Sequence, residues 1–230
     1  MTEFHIDPNF SVFQLVQRKR SKGISVSHLP VLQEISQEIE NASLIDHANN
    51  ILFCGFQQLS QFEPQITRYQ KLAQECEHIF IFAVPDIEIE AIENITFVPL
   101  DPRDQLAKEW FIVSYGHDYF SALAAEEIID GMVLEDEREY QGIWIFDLRM
   151  VEILYDWLCR KVGLDPEHIE QSQEIFRHEL TMMEKTLSRV QEFIEHEKML
   201  HHDTTVEEIK VLLEKTLYPA LMKMQTVVTS

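Results

Sequence analysis

The chain has 230 residues, of which 40 are acidic and 19 basic, so its formal net charge is −21. A surface this acidic repels phosphate backbones and makes nucleic acid a poor direct partner. No apolar run approaches the roughly 20 residues of a membrane-spanning helix, and the N-terminus lacks the basic-then-apolar layout of a secretion signal. We therefore expect a cytoplasmic protein without membrane insertion.

The first quarter of the chain predicts two helices and a buried strand. A short helix begins at 11–16 and ends in the basic segment 18–22, with Gly23 as its stop signal. That basic segment could instead bind an anion. Pro30 opens a second helix, whose apolar positions at helical spacing are Leu32, Ile35, Ile39 and Ala42. The run at 51–57 is apolar without alternation, which is typical of a strand buried on both faces.

A strand–helix–strand unit starts from this strand. Residues 60–63 have capping-box spacing, and the helix that follows carries one apolar stripe. The stripe consists of Phe62, Ile66, Tyr69, Ala73 and Cys76. A second apolar run lies at 78–84, which favours a right-handed crossover between two parallel strands.

Four more strands complete the predicted sheet or flank it. Residues 95–100 and 110–115 have strand patterns, and 119–125 could pair back on the latter as a hairpin. The alanine-rich end of 119–125 could equally be helical. The acidic stretch 126–141 predicts a solvated loop, with a carboxylate metal site as the weaker alternative. The last strand is 142–146.

Helices dominate the remainder of the chain. Asp147 is the expected N-cap of one helix, which ends at Gly163, and Asp165 followed by Pro166 marks the start of the next. Six apolar residues on that helix are spaced as in a heptad seam. They are Phe176, Leu180, Met183, Leu187, Val190 and Ile194. A second capping box at 205–208 opens a last helix.

Together these elements predict an α/β (α+β) fold with two parts. Residues 1–162 form a mixed sheet of five to six strands flanked by helices, and residues 163–230 form a two-helix arm. The arm is either an antiparallel hairpin or a dimerising coiled coil, and the pattern leaves open whether its seam packs within the chain or between chains.

Catalytic signatures are missing from the sequence, which has no glycine-rich phosphate loop, no GxSxG and no HExxH. His117-Asp118 could be an acid–base pair, but Gly-His-Asp is also good turn chemistry. The three cysteines lie far apart in apolar patterns and are predicted to be reduced and buried. They are Cys54, Cys76 and Cys159. We expect a protein that is not an enzyme.

One cluster of potential metal ligands lies near the end of the heptad helix. It comprises Glu195, His196, Glu197, His201 and His202. Polar residues at a helix end more often face solvent than bind a metal. We predict no metal site, and the sequence identifies no cofactor.

Aromatic residues give the best candidates for a binding site. Most such side chains pack in a core. If the domain binds a small molecule or pigment, we expect some of them to line the pocket, with nearby polar side chains as contacts. The candidates are Phe53, Phe56, Gln57, Phe62, Arg68, Tyr69, Trp110 and Trp144.

The order of several hydrophobic landmarks resembles that of the DICT sensory domain, named for diguanylate cyclases and two-component systems. The landmarks are SVFQLV at 11–16, LFCGFQ at 52–57 with Phe62 and Arg68-Tyr69 after it, Glu109-Trp110, and GIWIFD at 142–147. The resemblance spans about residues 10–160. It implies a bacterial, often cyanobacterial, cytoplasmic input module linked to light responses, with no established catalytic residues.

The resemblance also bears on output, because we find no cyclase, kinase or DNA-binding segment, and residues 163–230 take that place. We expect the arm to mediate self-association or binding to another signalling protein, and to be repositioned by a ligand or partner. The alternative is an adaptor or scaffold without a ligand, and an enzyme is the least favoured class.

Overall fold

The computed structural model describes residues 7–18, 23–128, 139–169 and 173–201. The strands are β1 (Gly23–Val26), β2 (Asn50–Gln58), β3 (His78–Val84), β4 (Ile95–Pro99), β5 (Glu109–Gly116), β6 (Phe120–Ile128) and β7 (Glu139–Ile145). The α-helices are α1 (Val12–Gln17), α2 (Leu29–Leu44), α3 (Leu59–Phe62), α4 (Ile66–Glu75), α5 (Leu148–Val162) and α6 (Gln173–His201). Short 3-10 helices lie at Glu63–Gln65 and Gln105–Lys108.

The strands form one mixed sheet in the order β1-β7-β6-β5-β2-β3-β4. β2, β3 and β4 run parallel, whereas β2–β5, β5–β6, β6–β7 and β7–β1 pair antiparallel. The predicted α+β class, the parallel pair and the β5–β6 hairpin are confirmed. The alanine-rich end of β6 is strand, and Ala124 and Ala125 are fully buried in it.

Helices cover both faces of the sheet. On one face, Phe53 of β2 stacks on Phe80 at 5.1 Å between ring centroids and meets Tyr155 of α5 at 6.1 Å. On the other face, Phe56 meets Tyr69 of α4 at 5.9 Å. Because side chains alternate along a strand, Phe53 and Phe56 of β2 point to opposite faces of the sheet and pack against different helices. α2 lies on the same face as α4, and α6 packs along α2.

A buried carboxylate attaches α1 to the sheet. Glu109 of β5 is fully buried, accepts the Ser11 hydroxyl, and accepts the Phe13 N–H at 3.0 Å. Ser11 in turn caps α1 by accepting the Gln14 N–H at 2.8 Å. Burial raises the pKa of Glu109, while these hydrogen bonds act to lower it.

The predicted count of five to six strands is wrong, because β1 adds a seventh. The pattern had assigned Gly23 as a helix stop, but it pairs with Ile145 of β7. A Cβ atom at this position would lie 2.7 Å from the Trp144 carbonyl oxygen. Only glycine therefore allows this close approach of the two backbones.

Two predicted helix starts are also wrong. The N-cap of α3 is Gln58, without a side-chain cap, and the Ser60 N–H donates instead to Asp86 at 3.0 Å. Residues 164–169 contain no helix. The Ile169 N–H donates to the Tyr115 hydroxyl at 3.3 Å. This backbone group therefore bonds to a distant side chain and not to a carbonyl within a helix.

Other expectations on the helices are confirmed. The Asp147 carboxylate caps α5 by accepting the Met150 N–H at 3.1 Å, and Gly163 ends that helix at φ 74°. Three parts of the predicted pattern lie outside the described residues: 19–22 of the basic segment, 129–138 of the acidic stretch, and the last helix from 205. The division at residues 162 and 163 stays a prediction. No helix in the described ranges is long and apolar enough to cross a bilayer.

Candidate functional site

A partly open cleft of about 390 Å³ lies on the α2–α4 face of the sheet, beside the carboxyl end of β2. Its buried floor is formed by Ser36, Glu40, Cys54, Tyr69 and Ile112. Its half-buried aromatic walls are Phe56, Trp110 and Tyr140. Five glutamines surround the opening: Gln33, Gln37, Gln57, Gln61 and Gln65. The cleft thus combines aromatic walls and a floor of mixed polarity with a rim of uncharged amides.

The floor holds one buried carboxylate with two partners. Glu40 accepts the Tyr69 hydroxyl at 2.7 Å and forms an ion pair with Arg68. Burial raises the pKa of Glu40, and the guanidinium of Arg68 opposes that shift. Because both partners hold Glu40 in place, α2 and α4 are joined across the floor of the cleft.

The floor groups are poor nucleophiles. Burial raises the pKa of the Cys54 thiol well above its usual value, although the neighbouring Tyr69 hydroxyl opposes that shift. Burial also raises the pKa of the Tyr69 phenol. A thiol must ionise to act as a nucleophile, so at neutral pH Cys54 and Tyr69 are a packing thiol and a hydrogen-bond donor.

A chain of hydrogen bonds runs from the floor along α2. Arg68, paired with Glu40, donates to the Asn41 side-chain oxygen at 2.9 Å. The Asn41 amide donates to Glu38 at 2.7 Å, and the other Glu38 oxygen pairs with Arg189 of α6. Each link joins side chains that belong to α2, α4 or α6.

The connection to α6 ends in a shared carboxylate just beyond α2. Arg189 donates to Asp46 at 2.9 Å, and Lys185 donates to its other oxygen at 3.0 Å. Desolvation acts to raise the pKa of Asp46, but the hydrogen bonds from the two cations outweigh it and lower the pKa. Glu38 and Asp46 therefore bind α6 to the domain through two cations one helical turn apart.

The structure brings together four of the eight predicted ligand residues: Phe56, Gln57, Tyr69 and Trp110 all line the cleft. Phe62 lies behind them, with its ring centroid 5.3 Å from Phe56. Arg68 stands behind Glu40. These two predicted residues support the cleft without lining it, and ligand binding by any of them stays a prediction.

Two predicted residues lie elsewhere. Phe53 points to the opposite face of the sheet, against α5. Trp144 is fully buried, and its indole N–H donates to the Ser121 hydroxyl at 2.9 Å. Neither lines the cleft.

Sequence reasoning missed the contribution of α2 and of the later rim residues. Gln33, Ser36, Gln37 and Glu40 follow spacings of three and four and form one polar stripe on that helix. This stripe, next to the apolar face of α2, was the available signal. Gln61, Gln65 and Tyr140 carried no comparable pattern.

The predicted seam on α6 consists largely of buried residues. Leu180, Met183, Val190 and Ile194 are buried, and Leu187 is partly so. The side chain of Phe176 lies outside the described residues. Arg189 lies on a different stripe of α6, about 100° from Val190 and about 120° from Met183 around the helix. The role of the seam in association stays a prediction.

The remaining candidates are spread over the surface. His117 is exposed in the β5–β6 turn, and Asp118 there lies 3.5 Å from the His178 ring nitrogen of α6. His196 is exposed. The other histidines of the proposed metal cluster, and Glu197, lie outside the described side chains.

The cleft thus lies between the mixed sheet and two helices of an α+β domain, and its volume falls within the range of small-molecule sites. Residues 10–128 match the family model described as DICT, the sensory domain in diguanylate cyclases and two-component systems. The match covers just over half of the chain, so the chain belongs to this family of sensory domains. It includes every described residue of the cleft lining except Tyr140. Comparisons with curated proteins and with solved structures gave no match.

Proposed function

We propose that this protein is a non-enzymatic sensor in which a small ligand binds in the cleft and alters how α6 is held. In this proposal, residues 163–230 act as the output arm and contact a second copy or another signalling protein. The observation that carries the proposal is the hydrogen-bond chain from Glu40 through Asn41 to Arg189. Membership in a sensory family supports the input role.

The geometry of α2 suits it to transmit a change. Glu40 and Glu38 are two positions apart, which places them about 200° apart around a helix. The Glu40 carboxylate therefore lies in the cleft, whereas the Glu38 carboxylate pairs with Arg189 of α6. A ligand that shifts the Glu40–Arg68 pair alters the position of Asn41, and with it the support of Glu38.

A connected network does not by itself transmit a signal; the ligand must favour one position of α6 over another. The network supplies a physical basis for such a preference. A ligand that hydrogen-bonds to Glu40 competes with Arg68. The freed guanidinium then reorganises its contacts to Asn41 and to the Gln37 carbonyl, which lies 3.1 Å away in this structure.

We propose that the protein is not an enzyme because the cleft offers no reactive side chain among its described residues. Its thiol and phenol have raised pKa values, and its carboxylate already has two partners. No side chain described there is placed as a free general base.

Native mass spectrometry of the gently purified protein tests the input step, and hydrogen exchange of α6 tests the output step. We expect excess mass that is lost on denaturation, and altered exchange in 180–196 after the ligand has been stripped by unfolding and refolding. Bound mass without any change in α6 exchange would refute the coupling. A clean multiple of the 27.1 kDa chain would favour the ligand-free adaptor.

Arg68→Met tests the network without a ligand. It removes the link between Glu40 and Asn41, so we expect faster exchange in α6, more than 100 residues away along the chain. Arg103→Met is the matched control, because Arg103 pairs only locally with Asp101 at 2.9 Å, on an exposed turn. Equal exchange in the two variants would contradict the proposal.

A further inference from the structure

We infer that the cleft binds an uncharged, planar nitrogen heterocycle, held by its faces against apolar side chains and by its edge against glutamine amides. The inference rests on the proposed function in that it assigns a ligand class to the same input site. Three features of the cleft carry it: aromatic walls, an uncharged amide rim, and a floor with few free polar groups.

Each aromatic wall packs against a neighbouring ring. Phe56 packs edge-to-face against Phe62 at 5.3 Å and Tyr69 at 5.9 Å. Trp110 and Tyr140 lie at 86° to each other with centroids 6.4 Å apart. Half-buried rings in this arrangement favour a flat ligand, which stacks or packs edge-to-face on them.

The rim supplies hydrogen bonds without charge. The five glutamines come from α2, β2, α3 and the 3-10 helix that follows α3. Each amide offers both donors and an acceptor, which matches the alternating donors and acceptors on the edge of a nitrogen heterocycle. Amides drawn from four elements can surround such an edge.

Anionic ligands do not fit this lining. None of the described lining residues is Lys, Arg or His. The nearby guanidinium of Arg68 is engaged with Glu40, Asn41 and the Gln37 carbonyl. A phosphate or carboxylate group would therefore be desolvated beside Glu40, without a cation, in a chain of net charge −21.

A sugar without a heterocycle does not suit the floor. Cys54 and Ile112 offer little to pair with hydroxyl groups, and Glu40 and Tyr69 already pair with each other. Buried hydroxyls without partners are costly. A cleft of about 390 Å³ also lies at the lower end of the roughly 300–1,000 Å³ range of small-molecule sites. A ligand of two or three fused rings suits both the floor and the size.

Calorimetric titration of the full chain with matched probes tests the inference. The probe pairs are adenosine with adenosine monophosphate and riboflavin with flavin mononucleotide, so that within each pair only the phosphate differs. Trehalose tests a sugar that has no heterocycle. We expect at least one uncharged heterocycle to bind, and its phosphorylated partner to bind at least about tenfold more weakly, as expected for one unpaired charged group. Tighter binding of a phosphorylated probe or of trehalose, or no binding by either uncharged heterocycle, would overturn the inference.

Glutamine variants locate the binding. Gln61→Leu and Gln65→Leu alter exposed rim positions, so folding should be unaffected, and each should weaken binding about tenfold through one lost hydrogen bond. Gln74→Leu, at an exposed position of α4 outside the cleft, should leave affinity unchanged. Equal affinities in all three variants would place the binding elsewhere and contradict the inference. If the heterocycles fail while native mass spectrometry detects a bound mass whose removal alters α6 exchange, the ligand class is wrong and the proposed function stands.

Discussion

Arg189→Met is the sharpest test of how α6 is attached, because it removes one cation from two buried carboxylates. The side chains of Glu38 and Asp46 are only 6% and 8% exposed. Removing one partner of a buried ion pair typically costs about 3–5 kcal/mol. Here Glu38 keeps the Asn41 amide at 2.7 Å and Asp46 keeps Lys185 at 3.0 Å. We therefore expect a smaller loss of about 2–3 kcal/mol.

The loss should be local to α6, where it is measured by hydrogen exchange. A destabilisation of about 2–3 kcal/mol corresponds to exchange about 30- to 150-fold faster wherever amides exchange by local opening of the helix. Lys185→Met is the matched control on the same helix, since Lys185 is 48% exposed and contacts only Asp46 among these carboxylates. Its effect should stay below about 1 kcal/mol. Equal exchange rates in the two variants would refute the view that Arg189 anchors the arm.

Three further predictions follow from buried polar groups. Trp144→Phe removes a hydrogen-bond donor to Ser121, so we expect urea denaturation to show an unfolding free energy lower by about 1–2 kcal/mol. Ligand affinity should be unchanged. A change in affinity would show that Trp144 contributes to the binding site. The pKa of Glu109 is raised from 4.5, so its stabilising contribution is complete at low pH and is lost as the pH rises through the raised value. Glu109→Gln should thus flatten the stability profile above pH 4.5, and an unchanged slope would contradict this. All three cysteines are free and buried, so dithionitrobenzoate should label none in the folded protein and three after unfolding; rapid labelling of any one would show that it is exposed.

Local patterns predicted most of the fold, because hydrophobic periodicity reports directly on which face is buried. The apolar run at 51–57 and the stripe on α2 both lie where the pattern placed them. β1 was not predicted because a strand of four residues is too short to show a clear alternation of apolar and polar side chains. Its first residue must be glycine because the backbone of β7 lies so close to it. The extended segment 164–169 likewise depends on a tyrosine hydroxyl from a distant strand.

The candidate site was only half predictable, and strand alternation explains part of the error. Phe53 and Phe56 are three positions apart on β2 and therefore point to opposite faces. Applying that rule would have removed Phe53 from the predicted pocket. It would not have removed Trp144, which shares a face with the cleft residues Cys54 and Ile112 through the strand register but is covered completely. Such covering depends on tertiary packing, which periodicity does not report.

The boundary of the family match explains why α2 matters for output. Glu38, Asn41 and Asp46 lie inside residues 10–128, whereas Lys185 and Arg189 follow that region. Residues inside the family match thus supply the acceptors of these ion pairs, and residues that follow the match supply the donors. Because Lys185 and Arg189 are four positions apart, they lie one above the other on a helix, and both reach Asp46. An input that acts on Glu40 can therefore reach the segment that we propose as the output along the side chains of Arg68, Asn41 and Glu38.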